Sequence, residues 1–202
     1  MSGVWRPGLS LVTFHARDRL TGMAEEIQPP ERPHPESGPG EDESRSVGRS
    51  RSLLVRWMSI ADANSAGFVH GGTVMRLVDE AAGLAAIKHS GRRVVTAGMD
   101  RMTFLTPVFV GELLTCSSSV NAVWRTSMEV GVRVEAENPF TGEKRHTSTA
   151  YLTMVALEDG KPVAAPRLIA ETDEERRRQR EAELRRANRL AERDQIRGGR
   201  GS

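Results

Sequence analysis

The sequence has a single cysteine, Cys116, in 202 residues. One thiol excludes an intramolecular disulfide framework and a cysteine-rich metal site, and it suits a reducing compartment, so a cytoplasmic location is expected. There are five histidines, and none stands at the spacing of a ligand set, so no metal is expected. No apolar run is long enough to span a bilayer. Neither sign of charge dominates: 29 Lys and Arg face 27 Asp and Glu, a net charge of +2. That balance gives no reason to expect nucleic acid or a membrane as partner. Hydrophobic residues make up only 38% of the chain, so part of it is expected to lie outside a core. In its alternating run, Cys116 reads as a small core residue rather than a nucleophile.

What is present divides into three stretches. The first, residues 1–51, reads as a disordered tail. Between about 23 and 50 it is rich in Pro, Glu, Ser, Gly and Arg and cannot bury enough surface to offset its ordering entropy. Ser46, Ser50 and Ser52, among arginines, are candidate phosphorylation sites or simply solvated. The acidic residues after Val4–Leu20 speak against a transit peptide, and Met23 is an alternative start to Met1. The folded domain is expected over 52–165, followed by a charged helical extension over 166–202. The apolar stripe of that extension (Leu184, Ala187, Leu190) is thin. It reads as a solvated helix that frays, or as one docked on a neighbouring subunit.

Within the domain, Leu53–Trp57 reads as a strand. From Thr73 to His89, Val74, Leu77, Val78, Ala81, Ala82 and Ala85 recur at helical spacing. Strands follow at Val94–Phe104, at Leu113–Trp124 (Leu114, Cys116, Val120, Ala122 and Trp124 on one parity), at Met128–Ala136 and at His146–Leu157. A strand, a long helix and then four strands predict an α+β layer pair with one antiparallel sheet. One helix cannot cover a five-stranded sheet, so pairing with a second copy is expected.

The chemistry concentrates in Asp62-Ala63-Asn64-Ser65-Ala66-Gly67-Phe68-Val69-His70-Gly71-Gly72 and the helix that follows. Gly71 and Gly72 at the helix start offer bare backbone N–H groups to an oxyanion. Asp79, two turns along, lies off the main apolar stripe beside Gly72, Met75, Gly83 and Ala86. Such small neighbours let a ligand or another chain come close. A carboxylate there serves as general base or nucleophile; the bland reading is a surface acid. Asn64 either orients a water or shapes a turn. His70 precedes the glycine pair, yet no Ser or Cys nucleophile accompanies it, so it reads as loop structure or substrate lining.

These residues resemble the signature of hotdog-fold acyl-CoA thioesterases of the cytosolic long-chain acyl-CoA hydrolase (brain acyl-CoA hydrolase/YciA-like) group. A second block, Val94-Val95-Thr96 through Met102-Thr103-Phe104-Leu105-Thr106-Pro107-Val108 to Val110-Gly111-Glu112, is similar to that group as well. The resemblance covers about residues 52–157. It implies a five-stranded antiparallel sheet wrapped around one long helix, and sheets joined edge to edge in a dimer, with three dimers in a hexamer. It implies hydrolysis of acyl-CoA to fatty acid and CoA without a cofactor. It assigns the catalytic roles to Asp79 and Asn64, contributed across the dimer interface. Thr96, Arg125, Thr126 and Ser127 are weaker candidates for binding CoA, since an Arg with hydroxyls suits phosphate; a plain hairpin turn is the other reading. Met75, Leu84 and Met99 are candidates to close an acyl tunnel. Two rivals remain: a hotdog enoyl-CoA hydratase, whose acid/His pair is not matched, and a non-catalytic acyl-CoA-binding or sensing protein.

Overall fold

A computed structural model describes residues 43–100 and 102–198. The long helix α2 (Gly71–Ser90) packs one face against an antiparallel sheet. The sheet runs in the order β2 (Ser52–Trp57), β5 (Leu113–Val123), β6 (Ser127–Glu137), β7 (Lys144–Glu158), β3 (Arg93–Met99). Two short strands, β4 (Thr103–Phe104) and β8 (Lys161–Pro162), also pair with β7. This is the five-stranded hotdog arrangement expected from the resemblance.

The core forms where two periodicities meet. Val74, Leu77, Val78, Ala81, Ala82 and Ala85 of α2 are buried, as their helical spacing predicts. They meet the inward parity of the strands: Val130, Val132 and Val134 of β6, and Ala150, Leu152 and Met154 of β7. The Ser118 hydroxyl donates to the Ala81 carbonyl at 2.8 Å, tying the helix to β5. Gly91 ends α2 at φ 67°, and its N–H donates to the Ile87 carbonyl at 2.8 Å. Only glycine adopts that left-handed cap without penalty.

Four expectations need correction. First, order begins before Ser52. The earlier part of the expected 1–51 tail, through 42, lies outside the described residues. From Glu43 the chain is built: β1 (Ser44–Ser46) pairs in parallel with β9 (Arg167–Ile169), and Val47–Ser50 forms one helical turn, α1. Ser50 is fully buried, donating to the Val47 carbonyl and accepting from the Val120 N–H. That makes it a structural hydroxyl rather than an accessible modification site. Second, Val94–Phe104 is not one strand. A register shift falls between Thr96 and Gly98, and the chain leaves β7 briefly before β4 rejoins it. Third, a bulge between Val120 and Ala122 flips the parity of β5. Val120 faces Val130 on the inside, whereas Ala122 faces Glu129 on the outside.

The fourth correction concerns the extension. It is helical, α3 (Asp173–Gly198), and instead of standing wholly in solvent it docks one side of its first part on the outer face of its own sheet, while residues 190–198 are exposed. The thin apolar stripe does not hold it, and Leu184 is 63% exposed. Its docking face is Ala182, Arg185, Arg186 and Arg189. Arg185 binds the fully buried Glu129, with Nη2 donating to Oε1 at 2.6 Å, and its guanidinium stacks on the Tyr151 ring. Arg186 stacks on Trp124, and Arg189 donates to Asp100 at 2.6 Å. Cation–π contacts and buried ion pairs replace an apolar seam here.

Two buried titratable groups give tests. Burial pushes the Cys116 thiol up to about 12. Native protein is therefore expected to release no thiolate signal to a disulfide reagent at neutral pH, and unfolded protein one equivalent. His89 is fully buried, with its Nε2–H donating to the Pro166 carbonyl at 3.0 Å and no partner at Nδ1 among the described residues. Burial lowers its pKa, and the Pro166 bond only partly opposes this. An unfolded chain takes up a proton near pH 6.5 that the folded one refuses, so the stability His89 contributes is full above that pH and lost as pH falls through it. The denaturation midpoint should therefore drop between about pH 7.5 and pH 5.5, and His89→Gln should shrink the drop.

Candidate active site

The loop carrying Asn64 is tied down before the chemistry starts. Asp62 is buried and accepts from the Ser59 N–H and hydroxyl and from Arg56 Nη2. Those Ser59 bonds, with Arg56, hold its carboxyl below the usual range. The Asp62 carbonyl then accepts from the His70 N–H at 2.8 Å. Between them Asn64 makes an Asx turn, its Oδ1 accepting from Ala66 N–H at 2.9 Å and Phe68 N–H at 3.2 Å. Its Nδ2 makes no hydrogen bond among the described residues. The turn-former reading therefore holds for the oxygen and leaves the amide donor uncommitted.

The second sequence block clamps this loop from the other side. Val69 N–H donates to the Val108 carbonyl at 2.9 Å, and Phe68 packs edge-on to Phe109 at 5.5 Å. Glu112 accepts both nitrogens of Arg145 at 2.6 Å, together with the Phe109 N–H at 2.8 Å. Burial pushes the Glu112 carboxyl up, but the Arg145 and Phe109 bonds outweigh it and the net shift is downward. The two blocks are thus one structural unit. Arg145, far along the chain on β7, was not singled out from the sequence, since nothing local marks it as the partner of Glu112.

At the helix start, His70 is the N-cap. Its Nδ1 accepts the Gly72 N–H at 3.1 Å, which places the ring proton on Nε2. The Gly72 N–H is therefore already engaged. The Gly71 N–H makes no hydrogen bond among the described residues, and it is the orphan donor of this helix. A Cβ on Gly71 would come within 3.6 Å of the Phe104 ring, so the glycine brings bare backbone beneath an aromatic edge. Phe104 was read only as part of a motif; its place beside Gly71 comes from β4 pairing with β7.

Asp79 is exposed on α2, away from the buried stripe. Thr96 on β3 donates its hydroxyl to Asp79 Oδ1 at 2.5 Å. This is a short charge-assisted bond across the helix–sheet junction. Thr96, expected near CoA, is thus brought onto the candidate carboxylate itself. Asn64 is not: no hydrogen bond joins it to Asp79 within the chain. Met75 and Leu84 are exposed on α2, and Met99 is half-buried against the core.

Arg125, Thr126 and Ser127 form the β5–β6 turn. Its backbone is committed: Trp124 N–H donates to the Ser127 carbonyl, Ala156 N–H to that of Thr126, and Ala165 N–H to that of Arg125. The Arg125 side chain is free of these bonds and lines a cleft of about 490 Å³ with Trp124, Arg167 and Gln179. Ser127 pairs with Val155, which pairs with Val95 next to Thr96. The turn therefore shares an end of the sheet with the Thr96–Asp79 bond. A second cleft, of about 630 Å³, lies on the outer face under α3, across the sheet from Asp79. No described helix is long and apolar enough to cross a membrane.

Comparison with known proteins finds relatives of this fold. The Thioesterase superfamily profile matches residues 66–142. A Bacillus subtilis (strain 168) protein, YkhA, named as an uncharacterized acyl-CoA thioester hydrolase, is 39% identical over 134 residues, 66% of this chain and 78% of its own. The crystal structure of an apo hexameric acyl-CoA thioesterase is 40% identical with a TM-score of 0.72, covering 74% of this chain and 97% of that one. An acyl-CoA hydrolase from Staphylococcus aureus, solved with butyryl coenzyme A, coenzyme A and coenzyme A disulfide, is 33% identical with a TM-score of 0.71 over 77% and 95% of the two chains. Variants of that enzyme replace an Asn, an Asp and a Thr by Ala, one at a time. The three stand 15 and 17 residues apart, the spacing of Asn64, Asp79 and Thr96 here. The chain belongs to the thioesterase superfamily, among the hotdog-fold acyl-CoA thioester hydrolases.

Proposed function

We propose that the protein hydrolyses medium- to long-chain acyl-CoA to free fatty acid and CoA. The Thr96–Asp79 bond carries this reading: a carboxylate oriented by a hydroxyl, on a helix whose first N–H is an unused donor. Asp79 acts as base for a water or as nucleophile on the thioester carbon. The Gly71 N–H stabilises the tetrahedral oxyanion; such a donor typically contributes about 3 kcal/mol. Gly72, given the same role by the sequence, serves through the His70 cap instead. Arg125, Thr126 and Ser127 hold the phosphates of CoA, and His70 and Phe104 line the entry. Water and acyl-CoA are the reactants, with no cofactor, in a reducing compartment such as the cytoplasm.

Asn64 completes the site from a second copy. Its Nδ2 has no partner among the described residues, and β3, which carries Thr96, is an open edge of the sheet. Two β3 edges side by side bring Asn64 of one protomer to Asp79 of the other. Three such dimers form a hexamer, as hexameric structural relatives support.

Release of CoA from acyl-CoAs of increasing chain length tests the reaction, with turnover expected from the wild type. Binding without release would sink it and favour a sensing module. Thr96→Ala is expected to lower kcat about tenfold with little change in KM, because the lost bond orients a charged group. Thr96→Ser should restore most of it.

A further inference from the structure

The loop that carries Asn64 is held by more than its own turn. Within it, Asn64 Oδ1 accepts from the Ala66 and Phe68 N–H groups, and the Asn64 N–H donates to the Phe68 carbonyl at 2.7 Å. Those bonds fix the shape of the turn, not its place on the sheet. Two anchors set its place. At the start, Asp62 accepts from the Ser59 N–H, the Ser59 hydroxyl and Arg56. At the end, Phe68 bridges to Phe109, and the Val69 N–H donates to the Val108 carbonyl. The second anchor is only as firm as the segment that carries Val108 and Phe109. The far end of that segment is joined to Met58: the Met58 N–H donates to the Glu112 carbonyl and the Gly111 N–H to the Met58 carbonyl, both at 2.8 Å. The near end, 107–109, is held by the burial of Val108 and by one side chain, Arg145. Arg145 donates to both Glu112 oxygens at 2.6 Å and to the Pro107 carbonyl at 2.9 Å. Its guanidinium also lies 5.1 Å from the centre of the Phe109 ring.

We infer that Arg145 is a positioning residue for the reaction: with Glu112 it builds the wall that sets Asn64 of the same chain into the partner subunit's site. The role rests on the shared site proposed above. None of the hydrogen bonds of Arg145 is to Asn64, Asp79 or Thr96, so it acts through the 107–112 segment alone. The fork is what the task needs. One planar group reaches both oxygens of a carboxylate and a backbone carbonyl, which a lysine ammonium does not reproduce. The other anchor is less dependent on its arginine, since Asp62 without Arg56 keeps two bonds from Ser59. Glu112 without Arg145 keeps only the Phe109 N–H, although it is 7% exposed. A carboxylate so stripped turns towards water, and the segment that carries Phe109 moves with it. Asn64 must present its Nδ2 at hydrogen-bond distance from a reacting atom, and a misplacement of about 1 Å costs about a hundredfold in rate.

Arg145→Ala and Arg145→Lys in the full chain test this, each read by CoA release and by backbone hydrogen exchange. Arg145→Ala should lower kcat by between about tenfold and about a hundredfold, with KM within about twofold of wild type. Arg145→Lys keeps the charge without the fork; it should lose less, and it carries the test if the alanine variant does not fold. The amides of residues 66–69 should exchange faster, while those of β6, β7 and the middle of α2 keep wild-type protection. Reassembly supplies the readout that a merely structural residue would not move. Mixed with Asp79→Asn, either variant should gain turnover, because one site then joins an undisturbed Asn64 to an intact Asp79. Mixed with Asn64→Ala, it should gain none. Wild-type kcat and exchange in both variants would overturn the inference, and so would faster exchange throughout the sheet. A gain with Asn64→Ala instead of Asp79→Asn would place Arg145 on the Asp79 side and overturn it equally. The underlying readings fail separately. Lowered kcat and local exchange with no gain in either mixture would keep the positioning role and remove the shared site. Faster local exchange in a chain that releases no CoA would keep the clamp and remove the hydrolase reading.

Discussion

Replacing Asp79 by Asn is expected to cut kcat for acyl-CoA hydrolysis at least about a hundredfold while leaving acyl-CoA binding intact. The substitution is nearly isosteric. The amide oxygen can still accept from the Thr96 hydroxyl, now 2.5 Å from Oδ1, so the helix–sheet junction keeps its geometry. Asp79 is exposed and contributes nothing to the buried stripe of α2, so stability should change by less than about 0.5 kcal/mol. What disappears is the anionic oxygen that takes a proton from water or attacks the thioester. A loss confined to kcat assigns Asp79 to the transition state, whereas a loss confined to KM would make it a binding residue. The His70 cap and the Gly71 N–H stay in place, so residual turnover measures what the oxyanion donor does alone.

The second large effect is on stability. Arg185→Ala should destabilise the fold by about 3 kcal/mol, read from denaturant unfolding. Glu129 is completely buried and accepts Arg185 Nε at 3.2 Å and Nη2 at 2.6 Å. Asn121 adds one bond at 3.2 Å, and Arg189 stands at 3.6 Å. Without Arg185 the carboxylate keeps little of its compensation. Truncation also removes the stack on Tyr151. Because the cost comes mostly from a stranded charge, the double variant Arg185→Ala with Glu129→Leu should recover much of it. A single variant costing less than about 1 kcal/mol would mean that α3 is not held by this pair.

These two predictions differ in how visible their residues are in the sequence. Asp79 could be found there, because its helix has a clear apolar stripe and Asp79 falls off it among small residues. The alternation of Met128–Ala136 likewise announces β6. Glu129 alternates as an outward residue, and only the fold shows that α3 buries it. Arg185 and Glu129 lie 56 residues apart, and no local pattern links them; the charged helix reads as solvated because its partners are acids and aromatics on distant strands. The bulge at Val120/Ala122 defeats a parity argument that holds up to that point. The three residues of β1, Ser44-Arg45-Ser46, are polar and carry no strand signature, so their pairing with β9 cannot be read locally. His70 reads from the sequence as loop structure or substrate lining; its N-cap bond to the Gly72 N–H is a question of ring orientation that spacing does not carry.

The central claim is that two chains share each site, Asn64 from one and Asp79 from the other. The most direct measurement mixes two inactive proteins, Asn64→Ala and Asp79→Asn, after dissociation and reassembly. In a mixed dimer, one site receives both damaged residues and the other receives neither. Random pairing should then restore about a quarter of wild-type CoA release. Recovery near that level is the predicted result. Mixed dimers that form and stay inactive would place Asn64 and Asp79 in the same chain's site and contradict the account.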